Sequence, residues 1–333
     1  MYILMLLIIL IIICYLIMVY HARSSGRTFH EDLMTSMYGS TFPEEHFRPI
    51  IHPEQYQQLV DAGSNLAKSE TLIIGGLAYN ISKNQIDMLE RRLDYVSQGW
   101  SNVKFFIYGL DSKEPYRSHL IDWANRDSRL TLIPPVVTPW KGKPVFVKMA
   151  NLRTALHSHV ISYIEAQPNP NDHYFLSIDC DLGGPISLEG LYHSRALMDS
   201  DPSIGAVYSN GIVSDSFINT IPGLRGWCYP GLGFTYYDDL ALIIDNDDET
   251  KLWKWFYATR GRGADPIPVQ SAYGGAALIS YSALKDGKFD TSTKQCEHHS
   301  FNLSLKEHGY KLVVNPSFIL LAGCQGHHKT RKL

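Results

Sequence analysis

Short apolar runs that alternate with helix-patterned stretches limit this chain to one class of architecture. TLIIGGLA (Thr71 to Ala78) is bounded by polar residues, the pattern of a strand buried on both faces. Ser82, with Gln85 three residues later, forms a capping box, and Ile86, Leu89, Leu93 and Val96 follow at helical spacing. The order then repeats. VKFFIYG (Val103 to Gly109) predicts a second strand, Pro115 to Asn125 a helix, and RLTLI (Arg129 to Ile133) a third strand. A longer helix carries Val145, Met149, Leu152, Leu156, Val160 and Tyr163 on one stripe, and HYFLSI (His173 to Ile178) is the next strand. Strand and helix in alternation, joined by short loops, predict an α/β fold: an open, mostly parallel sheet with helices on both faces.

In such sheets ligands bind outside the carboxyl ends of the strands. FLSIDCDLGG (175 to 184) runs from a buried strand into two aspartates and then two glycines at that end. Residues i and i+2 of an extended segment point to the same side, so Asp179 and Asp181 face one object together. Their mutual repulsion is relieved by a cation, and hard oxygen ligands suit Mg2+ or Mn2+. An Asp-x-Asp triplet alone is a common turn or cap; its place after an apolar strand is what points to a site. Leu77 to Asn80 and Gly109 to Ser112 end two further strands, so three loops are expected on one rim.

Beyond that strand, QSAYGGAAL holds Gly274 and Gly275, a step at which backbone approaches a ligand closely or simply turns before a strand, with Tyr273 beside it. Glu297 opens a helix striped by Phe301 and Leu305, where a carboxylate gains from the helix dipole and is a candidate general base. His327 and His328 follow a flexible Gly-Cys-Gln-Gly and could complete the coordination of a metal held by Asp181. Between Asn210 and Ile244, Trp227, Tyr229, Tyr236 and Tyr237 offer aromatic faces, for a bound ligand or for loop packing.

The N-terminal run from Tyr2 to Tyr20 has no charge and is long enough to cross a bilayer as a helix, so residues 1–20 read as a transmembrane anchor. Arg23 and Arg27 flank it on the C-terminal side, which favours a cytoplasmic domain; a lumenal domain is the alternative. The sequons Asn80-Ile-Ser82 and Asn302-Leu-Ser304 would be open to glycosylation in a lumen, and the first falls in a rim loop, which agrees with the cytoplasmic side. Residues 21–69, with Pro43, Pro49 and Pro53, read as a stem. Cys14, Cys180, Cys228, Cys296 and Cys324 form no CxxC pair, and no disulfide is expected. A formal net charge of −3 gives no electrostatic case for nucleic acid, although HHKTRKL is a basic tail.

The ordered series LIIGGLAYN, IYGLDSKEPYRSHLIDWA, KMANLRTAL, IDCDLGG, SAYGGAALISYSAL and CEHHSFNLSL with its following VNPS resembles the GT-A glycosyltransferases that use an Asp-x-Asp motif and a nucleotide-sugar donor. It looks most like the fungal capsule-associated (cryptococcal) mannosyltransferase-like group and similar enzymes of large DNA viruses. The resemblance implies a GT-A domain over 70–328, with a nucleotide-binding half at 70–181 and an acceptor half at 182–328, followed by the tail 329–333. It implies that Asp181 binds Mn2+ or Mg2+ directly, while Asp179 contacts the donor ribose, or the metal through water. Tyr79 and Asp111 would lie by the nucleotide, Arg153 near the donor phosphates, and Gly274 and Gly275 along the donor sugar and acceptor. Glu297 stands where inverting members keep a general base, but Glu-His replaces their Glu-Asp, so the stereochemical outcome stays open. The function expected is transfer of a sugar from a UDP- or GDP-sugar to a glycan, lipid or protein. The alternatives are a nucleotidyltransferase, against which the loop LAYNISK lacks a basic glycine-rich element, and a non-catalytic sugar-binding membrane protein.

Overall fold

The computed structural model describes residues 9–17, 39–49, 51–136, 142–181, 184–214, 229–230, 233–237, 239–244, 261–292 and 296–324. After a 3-10 turn at Glu44–Phe47, helix α1 covers Pro53–Ala67. Strand β1 (Thr71–Leu77), helix α2 (Lys83–Val96), β2 (Asn102–Tyr108), α3 (Tyr116–Arg126), β3 (Leu130–Ile133), α4 (Val145–Glu165) and β4 (His173–Asp179) then alternate. Helix α5 (Leu188–Ser200) leads to β5 (Ile204–Ser214) and the short strands β6 (Tyr229–Pro230), β7 (Gly233–Tyr236) and β8 (Ile243–Ile244). The described chain closes with β9 (Ile267–Ser271), β10 (Ala276–Ser280), α6 (Tyr281–Asp286), α7 (Glu297–Glu307) and β11 (Lys311–Cys324).

Alternation along each strand sorts side chains into two cores. Leu72 and Ile74 of β1, Phe105 and Ile107 of β2, and Leu176 and Ile178 of β4 pack with α1, α2, α3 and α5. Their neighbours Ile73, Phe106, Tyr108 and Phe175 pack with α4, α6 and α7 on the other face. The sheet is thereby buried on both sides, as the unbroken apolar runs require. Helix α2 starts as expected, with Ser82 and Gln85 forming a complete capping box.

Three expectations need correction. The sheet is mixed rather than mostly parallel. Its order is β3-β2-β1-β4-β10-β5-β11-β9-β8, and β10 runs antiparallel to both β4 and β5. An apolar run encodes burial but not direction, so AALIS reads the same either way. The stem reading of 21–69 also fails for the described part, because Tyr56, Val60 and Ala67 of α1 are buried against the domain. The Tyr56 hydroxyl donates to Glu189 Oε2 at 2.8 Å, and Glu44 accepts from Ser187 Oγ at 3.0 Å and pairs with buried Arg262. PEQYQQLVDAGSNLA shows few large apolar residues, since Gly63 contributes by close backbone approach rather than by a side chain. Lastly, Asn302 is buried and hydrogen-bonded to Ser271 and Ala272, so its sequon is closed to glycosylation in the folded domain.

Among the described residues no helix is long and apolar enough to cross a membrane. Residues 9–17 are helical, and the remainder of the Tyr2–Tyr20 anchor, with 21–38 and 50 of the stem, lies outside the described residues.

The α1–α5 contact yields the first prediction. A Cβ on Gly63 would stand 1.8 Å from the carbonyl oxygen of Tyr192. Helix propensity favours Gly63→Ala by ~1 kcal/mol, but overpacking against fixed backbone costs up to about 3 kcal/mol, so the clash wins. Urea melts are expected to show net destabilisation, and a more stable variant would refute the close packing.

Candidate active site

The register of the parallel strands builds the rim. Leu77 pairs with both Tyr108 and Asp179, so β1, β2 and β4 end level with one another. The three following loops meet there, as expected from their sequence. Asn80, at φ +54, accepts from Lys113 N through Oδ1 at 2.8 Å, and its own N–H donates to Ser112 Oγ at 3.0 Å. These bonds tie the first loop to the second.

Two of the expected site residues sit in these loops. The Tyr79 ring is 47% exposed, with Lys148 Nζ 4.9 Å from its centroid. Asp111 Oδ1 is buried and has no hydrogen-bond partner among the described residues. Burial raises its carboxyl above the ordinary value, and nearby Lys148 opposes the rise.

The aspartates of β4 lie beside them. Asp179 carries its side chain 20% exposed, with Oδ1 accepting from Arg153 Nη2 at 3.1 Å and Oδ2 from the Tyr237 hydroxyl at 3.4 Å. Its N–H donates to Gly275 O at 3.0 Å, and Gly274 and Gly275 adopt φ +63 and +86. A Cβ on Gly274 would meet Ser209 O at 2.1 Å, so the glycine step fits closely between β5 and the end of β4. Burial pushes the Asp179 carboxyl up to about 6; Arg153 pulls it down and the charge of Asp181 pushes it up again. Asp181 is half-buried on the same rim.

Arg153 sits where the sequence hides it. It is 2% exposed on the inner face of α4, where the stripe residue Val145 is 61% exposed instead. Its Nε donates to Glu297 Oε1 at 3.0 Å, its Nη2 to Asp179, and its Nη1 reaches the Tyr273 hydroxyl at 3.5 Å. Burial works against its charge, but the neighbouring carboxylates outweigh burial and hold it firmly protonated. Glu297, the first residue of α7, is 4% exposed and ion-paired rather than open to the rim.

Around this core lie residues the sequence reading did not single out. Ser177, two before Asp179 and so on its side of β4, shares a hydrogen bond with the Tyr273 hydroxyl at 3.2 Å. The His298 ring stacks on Tyr273 with centroids 3.8 Å apart, and burial pushes its imidazole well below the usual range. His157, one turn after Arg153, is enclosed by Phe175, Phe289 and Phe301, and its Nδ1 has no partner among the described residues. The available signal was the polar pair Arg153 and His157 at i, i+4, interrupting an otherwise apolar helix face.

The donor set is that of a hard cation: two carboxylates close together at one strand end, each raising the cost of the other's charge. Among the described residues no cluster of three or more His, Cys, Asp or Glu could hold a metal by itself. His327, His328 and Trp227 lie outside the described residues, as do the side chains of Tyr229 and Cys324 and the whole of Cys228. Cys14, Cys180 and Cys296 are not disulfide-bonded among the described residues.

No protein-family model and no curated protein matches the chain. Among solved structures it is similar to a mannosyltransferase, PcManGT, from Pyrobaculum calidifontis in complex with GDP-Man and Mn2+. That match has 13% identity, covers 83% of this chain and 67% of that one, and has a TM-score of 0.45. GalNAc-T7 with UDP, GalNAc and Mn2+ matches at 10% identity over 84% of this chain and 55% of that one, also at 0.45. Similarity this slight carries no argument about activity.

The buried imidazoles yield a pH prediction. Burial lowers His157 to about 3 and His193 to about 4, so both are neutral in the fold but protonate near pH 6.5 when unfolded. Their contribution is fully present above pH 6.5 and is lost as pH falls toward those values. At pH 4.5 each should cost roughly 2–3 kcal/mol in urea melts, and His157→Phe should remove its share. An unchanged acid limb in that variant would show that His157 is not the group responsible.

Proposed function

We propose that the chain is a metal-dependent glycosyltransferase that moves a sugar from a UDP- or GDP-sugar to a glycan, lipid or protein acceptor. The observation that carries this reading is the pair of carboxylates at the end of β4, with Asp179 pushed up to about 6 by burial and by Asp181. Acids this crowded gain most from a small dication with a preference for hard oxygen, Mn2+ or Mg2+. Asp181 and Asp179 would hold it, with His327 or His328 completing the coordination. When bound, such an ion neutralises the charge that develops on a leaving diphosphate.

The chain's own groups supply the rest. The exposed face of Tyr79 offers a stacking surface for a base, and the unpaired Oδ1 of Asp111 accepts a base or ribose donor. Lys148 helps keep Asp111 ionised. In the transfer, an acceptor hydroxyl oxygen forms its bond to sugar C1 as the bond from C1 to the diphosphate oxygen breaks, and the hydroxyl proton passes to a base at the rim. Tyr237, hydrogen-bonded to Asp179, and the Gly274–Gly275 step border the place for the transferred sugar. The reading includes an anchor at Tyr2–Tyr20 that holds the domain at a membrane, on the cytoplasmic side by its flanking arginines, with a Golgi-lumen placement as the alternative.

The test uses the full chain in detergent with a panel of UDP- and GDP-sugars, with and without Mn2+. One donor is expected to release its nucleoside diphosphate only with metal, and Asp181→Ala should lower that rate at least ~100-fold while the protein stays folded. If no donor is turned over, and neither UDP nor GDP with Mn2+ raises the melting temperature, the reading fails.

A further inference from the structure

Resting on that reading, we infer that Glu297 is a positioning residue, working through Arg153 on Asp179, and that acceptor deprotonation belongs to another group. A general base must come within hydrogen-bond reach of the proton it removes. Glu297 is 4% exposed, its Oε1 accepts from Arg153 Nε at 3.0 Å, and its Oε2 lies 4.0 Å from Cys296 Sγ. His298 Nε2 is a further 3.7 Å neighbour of Oε1. The carboxylate is enclosed by protein.

Arg153 is equally committed. Its three nitrogens face Glu297, Asp179 and Tyr273, which leaves it a strut between two carboxylates rather than a free hand for phosphate. The strut also has an electrostatic role. Alone, a buried guanidinium would cancel the charge of Asp179 and repel a divalent cation at the same strand end. Glu297 balances Arg153, so the charge of Asp179 is not cancelled at the strand end it shares with Asp181. The guanidinium meanwhile fixes the rotamer of Asp179.

Glu297→Gln keeps an acceptor for Arg153 Nε but removes the balancing charge. Calorimetry of the full chain in detergent, with Mn2+ and UDP or GDP, should show cation affinity about 10- to 100-fold weaker in E297Q. In an Arg153→Gln background the same change should cost less than about 3-fold, because Glu297 then has no cation to balance. The acid limb of kcat/KM against pH should persist in E297Q, since the base is elsewhere. Loss of that limb, with cation affinity unchanged and turnover reduced equally in both backgrounds, would overturn the inference and return Glu297 to the role of base. Where R153Q does not fold, the cation affinity of E297Q decides alone: a weakened affinity supports the inference, and an unchanged affinity with turnover lost overturns it. A wild-type chain that binds no divalent cation and turns over no donor overturns the glycosyltransferase reading itself, and this inference with it.

Discussion

A strand buried on both faces has to give way to solvent at its carboxyl end, and in β4 the change takes three residues. Ile178 is core, Asp179 is half-buried and charged, Cys180 is core again, and Asp181 reaches the rim. The alternation that sorts apolar side chains between two cores therefore delivers two carboxylates to one place. Burying charge at the margin of a dry sheet is costly unless something answers it. Arg153, reaching across from α4, answers Asp179, and Glu297 answers Arg153. The site is a chain of compensations that begins with the geometry of one strand.

The same solution recurs away from the rim. Arg195 on α5 holds Glu70, just before β1, with two bonds of 2.6 and 2.8 Å. Arg262 joins Glu44, Ser187 and the carbonyl of Phe47, fastening the segment ahead of α1 to the start of α5. A planar guanidinium with several donors suits such junctions better than an ammonium, because it can satisfy partners from different elements at once. Each of these arginines lies among apolar neighbours in sequence or in space, so local patterning gave little warning of them.

That contrast separates what was legible from what was not. The four leading strands, the helices between them and the capping box at Ser82 follow from period and propensity, which are local properties. That the loops carrying Tyr79, Asp111, Asp179 and Asp181 follow the carboxyl ends of neighbouring parallel strands accords with one general rule about such sheets. The direction of β10, the docking of α1 and the burial of Arg153 and Glu297 depend on partners far away in sequence, as the Arg153–Glu297 pair shows with a separation of 144. Residues 21–69 read as a stem because α1 meets α5 partly through backbone at Gly63, which leaves no apolar mark.

The insertion of β10 between β4 and β5 has a consequence for synthesis. Residues 71–179 can form their parallel sheet as they leave the ribosome, but β4 then presents a bare edge until residues 276–280 arrive to cover it. Closure over that span is a non-local step, slow by comparison with the local βα units, and an uncovered apolar strand is prone to mispairing meanwhile. Glu297 emerges later still, so through that interval Asp179 is the one carboxylate of the pair available to answer Arg153. The order of emergence makes the last quarter of the chain the point at which both the sheet and the charge balance of its rim are completed together.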